Sequence, residues 1–149
     1  MKFEGVLLVS VVALSLNAVG CASRSAAGLD PVHFKYDNSE LTKEAKSVIK
    51  QNSKMIKTSK VSGKILVEGH TDERGTSEYN IVLGERRAKA TRDFLIAQGV
   101  PASKILVKSW GEERPESSGQ TEKAFAKNRR AEFVASIQDE DLDKAQQRN

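Results

Sequence analysis

Between Glu68 and Ala88 the chain reads EGHTDERGTSEYNIVLGERRA, a stretch that sets carboxylates and guanidinium groups around Gly75. The apolar run Ile65, Leu66, Val67 leads into it, and Arg86 and Arg87 follow inside a helical pattern. Asn80, Leu83 and Arg87 fall at i, i+3 and i+7 and so share one helix face. Asp72 sits at the end of the preceding strand and can approach Arg87 from the loop. Two chemistries suit an acid and a base brought together in this way. One is a structural ion pair that orders the loop and caps the helix. The other is recognition of a ligand that carries both charges. Arg86 lies four residues after Val82 and four before Ala90, on what reads as the apolar side, so its stem is expected to pack and its head to pair with a buried carboxylate.

Other site chemistries find little support. Glu68, His70 and Asp72 alternate along a strand and could face a metal, but His33 is the only other histidine. Zinc sites want about three or four ligands, so no metal and no cofactor are expected. No nucleophile, base and orienting group come together, and the glycines form no phosphate-binding loop. The pattern points to a binding protein and not to an enzyme, with no catalytic residues.

The elements that must hold these residues follow from periodicity. Val32, Phe34 and Tyr36 alternate with polar residues as a half-buried strand, and Asp37, Asn38 and Ser39 turn the chain. From Leu41, apolar residues recur on one helix face to Ile56, with Asn52 the exception. Lys43, Lys46, Lys50, Lys54 and Lys57 form the opposite stripe, a solvated face. A second strand runs from Lys64 to Gly69, and Thr76 or Ser77 caps a long helix that reaches about Gln98. Gly99 ends that helix and Pro101 blocks its continuation. A third strand covers Ile105 to Ser109, Thr121 to Lys127 reads as a short helix, and Ala131 to Ile137 alternates as the last strand. Trp110, beside Gly111, reads as a packing residue. The expected class is α+β, β-α-β-α-β-β, with helices on one face of a small mixed sheet.

The 149 residues suffice for one modest domain, and 38% hydrophobic against 30% charged residues marks a globular chain. The net charge of +4 is a mild excess on a solvated surface, and no nucleic-acid partner is expected. The N-terminus is more specific. Val6 to Leu16 is almost wholly apolar, too short to span a bilayer but suited to a secretory signal. Ala18, Val19 and Gly20 then precede Cys21, the only cysteine of the chain. Small residues before a lone cysteine resemble a bacterial lipoprotein signal, although Ala18 stands where Leu is more usual. The resemblance implies a diacylglycerol on the Cys21 thiol and a third acyl chain on its amine, which together anchor stably where one chain would not. With Ala22, not Asp, after the cysteine, it implies sorting to the outer membrane. The organisation is then residues 1–20 signal, 21–30 lipidated cysteine and tether, 31–137 the domain, and 138–149 a polar tail. A tether of about nine residues at roughly 3.5 Å each reaches about 30 Å, which keeps the domain near its membrane.

EGHTDERGTSEYNIVLGERRA, followed by SWGEERP and KNRRAEF, resembles the OmpA-like peptidoglycan-binding domain over residues 31–137. The resemblance implies a ligand, the diaminopimelate of the cell-wall stem peptide, whose free end carries one ammonium and one carboxylate on a single carbon. Asp72 matches the position that takes the ammonium and Arg87 the one that takes the carboxylate. Arg suits this task because its planar fork reaches both oxygens. Asn80 and Leu83 match pocket-lining positions, Arg74 a pocket edge, and Tyr36 and Asp37 the turn after the first strand. Lys35 departs from the family, which often shows Phe-Asp-Phe-Asp where this chain has Phe34-Lys35-Tyr36-Asp37. The implied partners are peptidoglycan, the outer membrane through the lipid, and a periplasmic propeller protein of the Tol system. A second reading makes the chain chiefly an adaptor for that Tol partner. Both place it on the periplasmic face of the outer membrane, in envelope integrity and cell division.

Overall fold

The computed structural model describes residues 28–58 and 63–137. The expected signal, Cys21 and the C-terminal tail lie outside the described residues. Along the chain come β1 (Val32–His33), α1 (Lys43–Lys57), β2 (Lys64–His70), α2 (Ser77–Ala97), a 3-10 turn (Ala102–Lys104), β3 (Ile105–Gly111), α3 (Glu122–Asn128) and β4 (Arg130–Ile137). The sheet order is β1-β4-β2-β3. Strands β2 and β3 are parallel, joined through α2 as a βαβ unit, and β4 runs antiparallel to both of its neighbours. No helix among the described residues is long and apolar enough to cross a membrane.

Each helix starts on a threonine. The hydroxyls of Thr42, Thr76 and Thr121 accept from the N–H groups of Ala45, Tyr79 and Ala124 at 3.1, 3.2 and 3.2 Å, which satisfies donors that have no partner inside the helix. At the far end of α2, Gly99 takes φ +86°. Its N–H reaches Ile96 O at 2.9 Å and that of Val100 reaches Leu95 O at 3.1 Å, which closes the helix.

Ile65 and Val67 of β2, Ile105 of β3, and Ala131 and Phe133 of β4 meet Ile49, Ile56, Ala88 and Leu95 of the first two helices in one core. Asn52, the polar residue on the apolar face of α1, is buried too. Its side chain donates to Asp30 O at 2.9 Å and accepts from Asp30 N at 3.2 Å, which pins the chain just before β1.

Two expectations change. The alternation of Val32, Phe34 and Tyr36 predicts a strand over all five residues, but β1 stops at His33. Phe34 N still donates to Arg129 O at 2.9 Å, after which the carbonyls of Lys35 and Asn38 turn to Arg87. Arg86 is exposed and, among the described residues, pairs with no buried carboxylate. The buried arc of α2 is Asn80, Leu83, Gly84, Arg87, Ala88, Thr91 and Leu95, while Val82, 44% exposed, lies with Arg86 on the outer arc. Trp110 is half-buried, with the Arg114 guanidinium 3.4 Å and the Lys108 ammonium 4.0 Å from its ring centre.

Helix α2 lies directly on β2 because two glycines meet. A Cβ on Gly69 would stand 1.8 Å from Gly84 O, and one on Gly84 would stand 2.9 Å from Gly69 O. This contact sets the height of α2 over the sheet, and with it the position of Arg87 one turn further on.

Candidate functional site

Where β2 ends and α2 begins, a cavity of about 110 Å³ opens. Tyr36, Asp37, Asp72, Arg74, Asn80, Leu83 and Arg87 all line it, together with Thr71, Gly75 and Tyr79. The seven sequence-predicted residues therefore share one pocket.

Arg87 is fully buried. Its Nε donates to Asn38 O at 2.9 Å, NH1 to His70 O at 2.9 Å and NH2 to Lys35 O at 3.1 Å. Three main-chain carbonyls from two segments thus fix its plane, and the guanidinium keeps further N–H donors on both terminal nitrogens. Its centre lies 5.3 Å from the Phe34 ring. Among the described residues no carboxylate forms an ion pair with it. Burial pushes its pKa down to about 10, Asp72 and Asp37 opposing that fall and Arg129 adding to it, so it stays cationic at neutral pH. A buried cation with spare donors and no anion beside it is costly, and it faces a pocket.

Asp72 is buried as well, and its partners are not Arg87. Arg74 donates to Oδ1 from its backbone N at 3.2 Å and from Nε at 3.1 Å, and to Oδ2 from NH2 at 2.7 Å. Arg129 NH1 adds a contact to Oδ2 at 3.2 Å. Burial alone would raise the Asp72 pKa, but these bonds outweigh it and hold the carboxyl below the usual range. The Arg74 guanidinium is sandwiched 4.0 Å from the Tyr36 ring and 4.4 Å from that of Phe125, and also reaches Glu122 at 3.5 Å. The structural ion pair of Asp72 is therefore with Arg74 and Arg129.

At the mouth, the Tyr79 hydroxyl donates to Asp37, whose φ of 46° turns the chain there. The Asn80 amide donates to Glu112. Sequence reasoning missed Tyr79, Thr71, Gly75 and Arg129. Tyr79 lies four residues before Leu83, on the same stripe of α2, which was a usable signal. Arg129 stands 57 residues from Asp72, and only the pairing of β4 with β2 brings it there.

The mixed sheet and the pocket between β2 and α2 define a known class, and the profile of the OmpA family matches residues 33–129. The chain belongs to the OmpA family. It is 43% identical over 116 residues to the peptidoglycan-associated lipoprotein of Pseudomonas putida, across 76% of this chain and 69% of that one. It is 36% identical over 148 residues to the protein of the same name from Haemophilus influenzae, across 87% and 96%. The match to its Pseudomonas aeruginosa counterpart, 46% over 101 residues, spans 68% of this chain and 59% of that protein. Among solved structures, the peptidoglycan-associated lipoprotein of Burkholderia pseudomallei superposes with a TM-score of 0.67 at 37% identity, over 71% of this chain and 89% of that chain. The C-terminal domain of Helicobacter pylori MotB gives 0.67 at 25% identity, over 80% and 94%.

Proposed function

We propose that this pocket binds the zwitterionic end of diaminopimelate in peptidoglycan stem peptides, and that a lipid on Cys21 holds the domain to the outer membrane, tying membrane to wall without catalysis. The observation that carries the reading is Arg87, a buried guanidinium with spare donors and, among the described residues, no carboxylate partner. The names of the relatives support the same reading.

The ligand carboxylate docks on Arg87 and the ammonium on Asp72. An ionised carboxylate has about four acceptor sites, and Arg74 and Arg129 already direct four donors at Asp72. Arg74, a third exposed, gives way at the arrival of the ammonium, whereas Arg129, nearly buried, stays. Titration with a diaminopimelate muropeptide therefore shifts the Arg74 Nε resonance, and a lysine muropeptide, which lacks the second carboxylate, binds tenfold or more weakly. Each charge-assisted bond is worth about 1.5–3 kcal/mol. Equal affinity for the two muropeptides would refute the assignment.

The two charges set the pH window. Asp72 has a depressed pKa, so its contribution is present above the ordinary value of 3.8 and is lost as pH falls through the lower folded value. Arg87 loses its proton as pH rises through about 10. Affinity is expected to be flat across the neutral range, and a titration centred there would contradict the site.

Cys21→Ser is expected to release the domain from membranes with its wall binding intact. Absence of labelled palmitate from the wild type would end the anchor proposal. Exposed Tyr36 and Tyr79, at 57% and 46%, favour a second use of the pocket mouth as a docking place for a periplasmic protein of the Tol system. Pull-down from periplasmic extract, with and without muropeptide, tests whether the two uses exclude each other.

A further inference from the structure

We infer that Glu68, His70 and Glu132 form a binding site for one divalent transition-metal ion, of the zinc class, on the sheet face opposite the first two helices. Ile65, Val67, Ala131 and Phe133 point into the core, so Glu68 and Glu132 point the other way. The register sets these two carboxylates directly opposite each other on β2 and β4. Like charges so placed repel, and both are buried. His70 Nε2 lies 3.9 Å from Glu68 Oε2 and 3.9 Å from Glu132 Oε2. All three ligand atoms lie within 4.8 Å of one another.

These distances exceed a hydrogen bond but suit a coordination shell. Ligands at about 2.0–2.1 Å from a tetrahedral zinc ion stand about 3.3 Å apart, so each carboxylate closes on the imidazole by about 0.6 Å, and the widest pair of ligand atoms by up to about 1.5 Å, when an ion binds. The imidazole is 1% exposed, and among the described residues neither of its nitrogens has a hydrogen-bond partner. An orphaned buried imidazole aimed between two carboxylates is a place where a ligand is expected. Arg130 Nε holds Glu132 Oε1 at 2.8 Å, which fixes that carboxylate while leaving Oε2 toward His70. Water completes the shell. Asp72, third in the alternating row of the sequence, takes no part because Arg74 and Arg129 hold it. Glu132, distant in sequence, replaces it.

The site backs onto the pocket, since the His70 carbonyl accepts from Arg87. It does not depend on the proposed ligand, and its test is separate. The full chain in detergent, stripped with chelator, is titrated with zinc chloride and followed by calorimetry, melting temperature and the His70 ¹⁵N resonances. One ion is expected to bind, to raise the melting temperature and to shift Nε2. Glu68→Gln and Glu132→Gln should each weaken binding at least tenfold, while His33→Ala, on an exposed residue, should leave it unchanged. If a glutamine variant fails to fold without zinc, the wild-type resonance decides. An Nε2 signal unmoved by one equivalent of zinc, or wild-type affinity in a folded Glu132→Gln, overturns the site.

Discussion

Arg87→Lys and Asp72→Asn are each expected to lose binding to diaminopimelate-containing sacculi by tenfold or more. Lysine keeps the charge of Arg87 but has a compact head in place of a planar fork. It cannot hold the carbonyls of Lys35, Asn38 and His70 and still present two parallel donors to a carboxylate. A loose ion pair would scarcely notice the change. Because Arg87 is buried and three carbonyls lean on it, this variant also melts lower: each unsatisfied buried acceptor costs about 1–3 kcal/mol. Asp72→Asn separates the two effects. It is nearly isosteric, and its single oxygen still accepts from Arg74 NH2 and Arg129 NH1 where Oδ2 stood, while its NH2 meets the two Arg74 donors at the other position, so the fold should persist at some loss of stability while the attraction for an ammonium is lost. Were Asp72 and Arg87 only a structural pair, their effects on stability would be strongly coupled in a double-mutant cycle. No ion pair joins them, and only the charge of Asp72 acting across the pocket on Arg87 links them, so that coupling is expected to be weak. Sacculus pull-down well below the melting temperature, with circular dichroism on the same samples, checks both points. Near-wild-type wall binding by both variants would sink the ligand assignment.

The pocket was legible because its parts sit on local features. Asp72 follows a strand, Asn80, Leu83 and Arg87 follow helical spacing, and threonine caps mark where α2 begins. What stayed hidden was set by distant pairing. Arg129 stands just before β4 and Glu132 lies on it, and nothing local says that they meet Asp72 and Glu68 across the sheet. The length of β1 was misread because Lys35 and Asn38 give their carbonyls to Arg87, a choice made across some fifty residues of sequence. Arg86 was placed on the wrong face for a related reason. The buried arc of α2 carries Asn80, Arg87 and Thr91, while Ile81 and Val82 are exposed, so polarity is a poor guide to direction in the helix that builds the site. Polar residues occupy that arc because the pocket needs them there, at the expense of a clean amphipathic pattern.

Gly69→Ala is expected to be the most damaging single-methyl change in the described domain. The added Cβ would stand 1.8 Å from Gly84 O and 2.5 Å from Gly84 C, both backbone atoms that no rotamer change can move. The only relief is to lift α2 from β2. Overpacking of a close-packed core costs about 1–3 kcal/mol, occasionally more, and here the upper end applies, a fall of roughly 10 °C or more in melting temperature for a domain of this size. Gly84→Ala is the instructive contrast. Its Cβ meets Ser109 Oγ at 2.3 Å, a short side chain that can rotate at the cost of the bond it accepts from Gly111 N, and it stands 2.9 Å from the backbone oxygen of Gly69, a clash but a smaller one. Removing a mid-helix glycine also returns about 0.8–1 kcal/mol of helix propensity. Gly84→Ala should therefore destabilise less than Gly69→Ala. The two changes part again in function. Lifting α2 draws Arg87 from the His70 carbonyl, 2.9 Å away, and opens the cradle that holds the guanidinium. Gly69→Ala should lose wall binding even at temperatures where it remains folded. A melting temperature within a degree or two of wild type for Gly69→Ala would show that α2 is not held at its present height by this contact.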